Sequence, residues 1–406
     1  MRQNNNSVAC NILAGAFLVH TFCHLLANFS VLYIVNNLKI YVLYLFIGLY
    51  ILTALLDHSV ISRNLKRTIT FASCWGIIYL FAYLYSNYKT AGGDFVTLIT
   101  GAMFFSFSRR VQEKCVHWFI IILAFICLLS AVEYVIAILT GIKVVIAHVQ
   151  RHLVQGTQYF DETLFNVMRT EGSFPRFQSL TEEPGLLGTL CAFMLFVTGR
   201  IERYRYPFYI FLASTLLSFS LAGYILASCY LLTLKVKNVK VLVGTIAIGV
   251  LIAMYFGDFF QRLIYERLQT DDIDTRTNAF FDMHFYHVLE SGGLWLGKGE
   301  MDYTIIGGNA GAKVWIYHYG VLAFGTLFCC YNYLFCSLMR KWTNFHVIFL
   351  LTFWMSFYQR ATISEPYSIL PFVGIALLDN RRKQILIYRR DVLPEYHQHD
   401  DSKENR

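Results

Sequence analysis

The sequence predicts an all-α, polytopic integral membrane protein with about twelve transmembrane helices and two large loops on one side of the membrane. Three observations predict it. Hydrophobic residues make up 56% of the 406 and charged residues only 15%, whereas a soluble domain carries roughly 25% charge. The mean hydropathy is +0.48. Aromatic residues reach 17%, as expected of a chain that places rings at many membrane–water interfaces. With only six prolines and no Ser/Gly-rich stretch, residues 1–406 read as one transmembrane domain without linker or repeat.

Apolar runs able to cross about 30 Å of hydrocarbon lie near 10–35, 40–57, 69–86, 92–108, 116–140, 184–199, 239–257, 316–339, 345–359 and 367–379. The first, Cys10 to Val35, is too long for a signal-peptide core and lacks a cleavage site, so it reads as a retained span. The stretch 207–234 is too long for one simple span and short for two. Basic residues flank it on both sides: Arg200, Arg203 and Arg205 before, Lys235, Lys237 and Lys240 after. If both flanks face the cytoplasm the chain crosses twice, turning near Ser218–Tyr224, and two short helices meet part-way through the membrane. Such a break survives only where protein or a water-filled cavity satisfies the backbone.

The positive-inside rule supports that count. With both termini inside, the inward segments hold Arg63, Lys66, Arg67, Arg109, Arg110, Lys114, Arg340, Lys341 and the basic tail from Arg381, besides the two flanks above. The short outward turns hold only Lys39, Lys89 and Arg360. A single crossing at 207–234 would put the basic tail outside. The two large loops, 141–183 and 258–315, then face outward and are acidic on balance. The formal net charge of +8 is therefore topological, matched to an anionic inner leaflet, and nucleic acid is a poor partner. The ten cysteines sit in or beside apolar segments, apart from Cys115 at a basic helix end. They provide neither a disulfide framework nor zinc-ligand spacing.

Function is expected where polar residues cluster against the membrane face. The first loop ends Arg169-Thr-Glu-Gly-Ser-Phe-Pro-Arg176-Phe-Gln-Ser-Leu-Thr-Glu182-Glu183-Pro184, directly before a span. Pro184 suits a first helical turn, and the unpaired N–H groups of such a turn favour an anion. Arginine offers a planar fork matched to phosphate oxygens, and a nearby carboxylate can take a proton from an attacking hydroxyl. Alternatively, these arginines and glutamates merely pair with one another and cap the helix.

The second loop offers Arg262, Arg267, Arg276, Lys298 and Lys313. Lys313 either snorkels at the mouth of the next span or touches a buried anion. His284 and His287 fall on an amphipathic helix expected over 277–290 and suit surface or packing roles better than metal ligation. Asp271-Asp-Ile-Asp274 contains a spacing used for divalent metals, but a solvated acidic turn explains it as well. Gly292-Gly-Leu-Trp-Leu-Gly297-Lys-Gly299 reads as a glycine-permitted turn. The last outward turn, Arg360-Ala-Thr-Ile-Ser-Glu365-Pro366, adds an arginine and a glutamate at the same face.

Twelve spans, a first loop ending Arg176-Phe-Gln-Ser-Leu-Thr-Glu-Glu183-Pro184, and a second loop with Arg276-Thr-Asn-Ala-Phe-Phe, a helix, Gly297-Lys-Gly299 and a span opening at Tyr319-Gly320 together resemble the O-antigen polymerase (Wzy) family. The related O-antigen ligases share this layout. The resemblance implies a GT-C-like glycosyltransferase of the bacterial inner membrane with its active site at the periplasmic face. The growing glycan on undecaprenyl pyrophosphate would be the donor, and an incoming lipid-linked repeat unit would supply the acceptor hydroxyl. Inversion without metal or cofactor is implied, and a chain-length regulator is an expected partner alongside membrane lipids.

On this view Arg176 and Arg276 stabilise the departing pyrophosphate, and Glu183 is the base or the residue that fixes an arginine. Arg169, Arg262, Arg267, Lys313, Asn309 and Arg360 contact pyrophosphate or glycan. Ligases place a histidine about where Asn309 stands, and asparagine is no base; His318 falls inside the expected span. This favours polymerase over ligase. A transporter for lipid-linked sugars is the other rival. It calls for charges within spans, of which the sequence offers chiefly Glu133, with His20 and His24.

Overall fold

The computed structural model describes residues 2–26, 33–85, 92–153, 156–170, 176–181, 183–234, 279–299, 311–339, 341–359 and 365–378. These residues are mostly helical. In chain order the helices are α1 (Arg2–Leu25), α2 (Tyr33–Leu56), α3 (Lys66–Tyr85), α4 (Gly92–Ser106), α5 (Arg109–Thr140), α6 (Pro184–Thr198), α7 (Arg205–Leu217) and α8 (Leu221–Thr233). There follow α9 (Ala279–Glu290), α10 (Gly311–Tyr319), α11 (Val321–Leu338), α12 (Asn344–Gln359) and α13 (Pro366–Leu378). Among the described residues, five helices contain segments long and apolar enough to cross a membrane, within α1, α2, α3, α5 and α11, and four shorter ones are apolar as well. The span expected over 239–257 lies outside the described residues.

Long-range contacts sort the chain into two ends. At one end Lys114 Nζ donates to Asn11 (2.6 Å), Arg67 Nε to Ser337 Oγ (3.0 Å) and Arg109 to the Leu377 carbonyl (3.4 Å). His117 meets the Tyr204 hydroxyl there (2.8 Å), and Arg200 stacks on Phe345 at 3.6 Å. Residues expected to face inward thus meet one another, and this is the basic end. At the other end, His24 lies 3.5 Å from Glu365 and Lys313 3.1 Å from Asp282. The first loop folds onto the end of α5. This is the loop end, and the described contacts above join segments that the alternating topology puts on the same side.

The 207–234 stretch is a helical hairpin. A Cβ on Gly188, near the start of α6, would lie 2.6 Å from Ser218 Oγ, and one on Gly223 would lie 3.0 Å from the Gly188 backbone. At the other end of α6, Gly199 abuts the Tyr230 hydroxyl. Hence α7 runs back along α6 to a turn at Ser218–Ser220, and α8 returns beside it. Small residues let these backbones approach closely, which is how helices pack where lipid offers no hydrophobic drive. Each of α7 and α8 has 13 residues, about 20 Å at 1.5 Å per residue, short of the ~30 Å hydrocarbon layer. Beside them α5, with 32 residues, extends about 48 Å. The turn lies beside the start of α6, under the end of the first loop.

α6 and α13 form the centre. α6 is buried from Gly185 to Thr198 and α13 from Ile369 to Leu378. Phe372 of α13 packs on Phe335 of α11 (5.2 Å between ring centres) and Phe353 of α12 (4.9 Å). Both central helices start at the loop end and finish at the basic end.

Four expectations need correction. The first loop is not irregular: it carries a three-stranded antiparallel sheet, β1 (Ala147–Leu153), β2 (Gly156–Glu162) and β3 (Val167–Arg169), in the order β1-β2-β3, so the chain is not purely α-helical. The first apolar run, 10–35, joins the end of α1 to the start of α2 at Tyr33. The span expected over 316–339 is interrupted at Gly320 (φ 92°), so His318 sits in the short helix α10 before the span and not within it. Glu133, expected within a span, is engaged by the first loop. It lies two turns from the end of the long α5, and its carboxylate accepts from the N–H groups of Leu164 (3.2 Å) and Phe165 (2.9 Å) and from Asn166 Nδ2 (3.1 Å).

Candidate functional site

At the loop end, the last residues of the first loop meet the α7–α8 turn. Phe219 adopts φ 47°, a left-handed conformation that costs a side-chain-bearing residue roughly 1–2 kcal/mol. Reversing the chain there frees backbone groups that hydrocarbon cannot satisfy, and each of the following has a partner. Ser218 Oγ donates to the Thr215 carbonyl (2.7 Å) and the Tyr224 hydroxyl to Leu216 (2.7 Å). Ser220 Oγ caps α8 by accepting from Gly223 N–H (3.3 Å). The Phe219 carbonyl accepts from Arg176 Nη2 at 2.7 Å. Arg176 thus bridges the first loop to the α7–α8 turn, and one of its five N–H donors is engaged there. It also lies close enough to the phenols of Tyr134 and Tyr224 to act on both electrostatically.

The strand-to-helix segment carrying Arg176 is held firmly. Ser179, at φ 51° and fully buried, bonds Ser130 through their hydroxyls at 2.6 Å, and its carbonyl accepts from Val167 N–H at 3.2 Å. Thr181 Oγ1 donates toward the carbonyls of Gln178 (2.8 Å) and Glu183 (3.0 Å). Gln178 is buried, and its Nε2 has no partner among the described residues. Pro184 opens α6 as the spacing predicts. Glu183 occupies the N-cap in extended conformation, and its side chain makes no capping hydrogen bond. Arg169 ends β3, its backbone opposite Phe160.

The second loop closes on the same end. Backbone bonds run from Lys298 N–H to the Tyr317 carbonyl (2.7 Å) and from Val321 N–H to Leu294 (2.9 Å). This brings Gly297 against Gly320. A Cβ on either would lie 2.5 Å from backbone of the other segment, and both have positive φ. The Gly297-Lys-Gly299 turn and Tyr319-Gly320, separate in the sequence reading, are therefore one joint. α9 matches the expected amphipathic helix, with Phe281, Phe285 and Val288 in a small core shared with Leu294 and Tyr317. His284 contacts the Tyr317 hydroxyl at 3.3 Å, a packing role. Lys313 reaches Asp282 (3.1 Å) and lies 5.3 Å from the Tyr286 ring centre, so its anion is supplied by α9.

Sequence reasoning missed the Lys313–Asp282 and His24–Glu365 pairs, because neither spacing in the chain reveals them. A signal was present for the shared role of the two central helices: Glu183-Pro184 and Glu365-Pro366 each open one of them. No group of three or more possible metal ligands occurs among the described residues. Arg262, Arg267, Arg276, Asn309, Arg360 and Asp271–Asp274 lie outside those residues. The structure thus brings Arg176 and Glu183 into one segment above the hairpin turn, while Lys313 is engaged by the second loop. Comparison with family models, with curated proteins and with solved structures finds no match to this chain.

Proposed function

We propose that this chain is a surface-polysaccharide polymerase of the O-antigen (Wzy) type, joining lipid-linked repeat units at the periplasmic face of a bacterial inner membrane. In this reading the chain has twelve spans in a GT-C-like arrangement, both termini are cytoplasmic and the loop end is periplasmic. The observation that carries it is Arg176, bonded to the Phe219 carbonyl at the turn between two short helices. A donor on undecaprenyl pyrophosphate keeps its lipid in the bilayer and its diphosphate near the interface. A cation held at that depth by the protein's own backbone is preorganised for the leaving group.

The acceptor hydroxyl of an incoming lipid-linked unit attacks the anomeric carbon of the donor glycan. The bond to pyrophosphate oxygen breaks with inversion, and undecaprenyl pyrophosphate departs carrying the electron pair. Glu183, at the mouth of α6, takes the hydroxyl proton or fixes an arginine. Arg276 is the partner proposed for Arg176 across the leaving group, with Arg169, Arg262, Arg267, Arg360 and Asn309 on the glycan path and a chain-length regulator as an associated protein. Lys313 acts through Asp282 to hold the second loop.

One observation favours a second reading, an O-antigen ligase transferring polymer to lipid A core. His318 lies at the mouth of α11, before the Gly320 break, and so occupies the kind of position a ligase histidine needs. Purified protein in vesicles, supplied with an undecaprenyl-pyrophosphate-linked repeat unit, separates the readings. A ladder of products supports the polymerase, single addition to lipid A core supports the ligase, and translocation without new bonds supports a transporter.

A further inference from the structure

At the basic end, away from Arg176, the α6–α7 connection forms an open pocket of about 430 Å³ lined by Thr198, Gly199, Arg200, Glu202, Arg205 and Tyr209, among others. From its chemistry we infer that this cavity binds the headgroup of an anionic, hydroxyl-bearing phospholipid such as phosphatidylglycerol.

Arg200 and Arg205 both line this pocket. Arg200 is preplaced by stacking on Phe345 at 3.6 Å, and Arg205 lies 6.0 Å from the Tyr209 ring centre. Planar guanidinium groups match phosphate oxygens. Their floor is rigid: Gly199 abuts the buried Tyr230 hydroxyl and its N–H bonds the Leu195 carbonyl at 2.9 Å, so no side chain fits there. Thr198 donates its hydroxyl to Met194 and is already satisfied.

Glu202 narrows the choice of ligand. A carboxylate in the same cavity repels a second phosphate charge but accepts hydrogen bonds from headgroup hydroxyls. A phosphodiester bearing a glycerol or other polyol head satisfies both signs, whereas phosphatidic acid satisfies only one. Tyr206 and Tyr209 are 79% and 52% exposed on the first turn of α7, the interfacial position that aromatic rings favour beside headgroups. The lipid would pin the turn from which the α7–α8 hairpin rises.

The test uses the full-length protein in nanodiscs of phosphatidylcholine alone or with phosphatidylglycerol or phosphatidic acid, scoring retained lipid by native mass spectrometry. Two basic groups acting on one phosphate at a membrane surface predict a preference for phosphatidylglycerol over phosphatidylcholine of about thirtyfold, and about fivefold after Arg205→Gln. Arg205 is exposed, so this variant isolates binding from folding, and an unchanged elution profile checks that. Glu202→Gln should erase the preference for phosphatidylglycerol over phosphatidic acid. Equal retention of phosphatidylcholine, or no effect of Arg205→Gln, overturns the assignment. So does complete displacement of phosphatidylglycerol by millimolar inorganic phosphate, which would make the cavity a soluble-phosphate site.

Discussion

Arg176 Nη2 donates to the carbonyl of Phe219 at 2.7 Å, tying the end of the first loop to a left-handed residue at the turn of two short helices. Loop and broken span are thereby one unit: moving the turn moves the guanidinium. A buried carbonyl that loses a charged donor costs about 1.5–3 kcal/mol. Arg176→Ala should therefore lower the thermal midpoint in detergent as well as abolish any polymer. Arg176→Lys keeps a charged donor but not the planar fork, and should hold most of the stability while losing activity. Unchanged stability in Arg176→Ala would show that the bond does not support the turn.

The hairpin makes a topological prediction. Single cysteines replacing Tyr206 and Thr233, in a background without the native cysteines, should both react with a membrane-impermeant maleimide from the cytoplasmic side. A cysteine at Ser218 should resist labelling from that side. Reaction of Tyr206→Cys and Thr233→Cys from opposite sides would mean a single crossing.

The joint between the second loop and α11 rests on glycine. At Gly320, φ 92° and a backbone atom 2.5 Å from any added Cβ leave no accommodation, so Gly320→Ala and Gly297→Ala should each cost about 1–3 kcal/mol and disturb the loop. Gly325, one turn into α11 with open space around it, is the control. Gly325→Ala should be neutral, or more stable by up to about 1 kcal/mol from helix propensity. Equal effects at all three positions would argue against the joint.

Glu133 gives a prediction against a transport role. Its carboxylate secures the turn before β3 through two backbone N–H groups and Asn166. Glu133→Gln keeps one acceptor oxygen and should loosen that turn, seen as faster amide exchange at Leu164 and Phe165. Glu133→Ala should exceed it, at about 2 kcal/mol. Loss of coupled transport with intact loop protection would instead place Glu133 on a conduction path.

Much of this architecture was legible because hydropathy and the placement of Arg and Lys are one-dimensional signals. The basic flanks on both sides of 207–234 predicted a reversal near Ser218–Tyr224, and the structure puts a turn between two helices at Ser218–Ser220. The sheet was missed although Ala147, Val149 and Leu153 alternate with polar residues, because a loop between spans was read for charge and not for period. The Gly320 break was hidden by its neighbours: Trp315, Ile316 and Tyr317 continue the apolar run, and only the approach of Gly297, far off in the chain, explains the interruption. For the site, Arg176, Glu183 and Pro184 stood out by proximity to a helix start. The partner of Arg176, Phe219, lies in the α7–α8 turn, and Ser130, which bonds Ser179 of the same segment, lies on α5; no spacing within the loop encodes either.

The claim that guanidinium groups hold a diphosphate leaving group is tested most directly by the single-turnover rate of undecaprenyl pyrophosphate release in reconstituted vesicles. The proposal predicts that Arg176→Lys and Arg276→Lys each slow release by about 10²–10³-fold, the effect of losing one preorganised donor, with donor binding nearly unchanged. Release at the wild-type rate in both variants would contradict it.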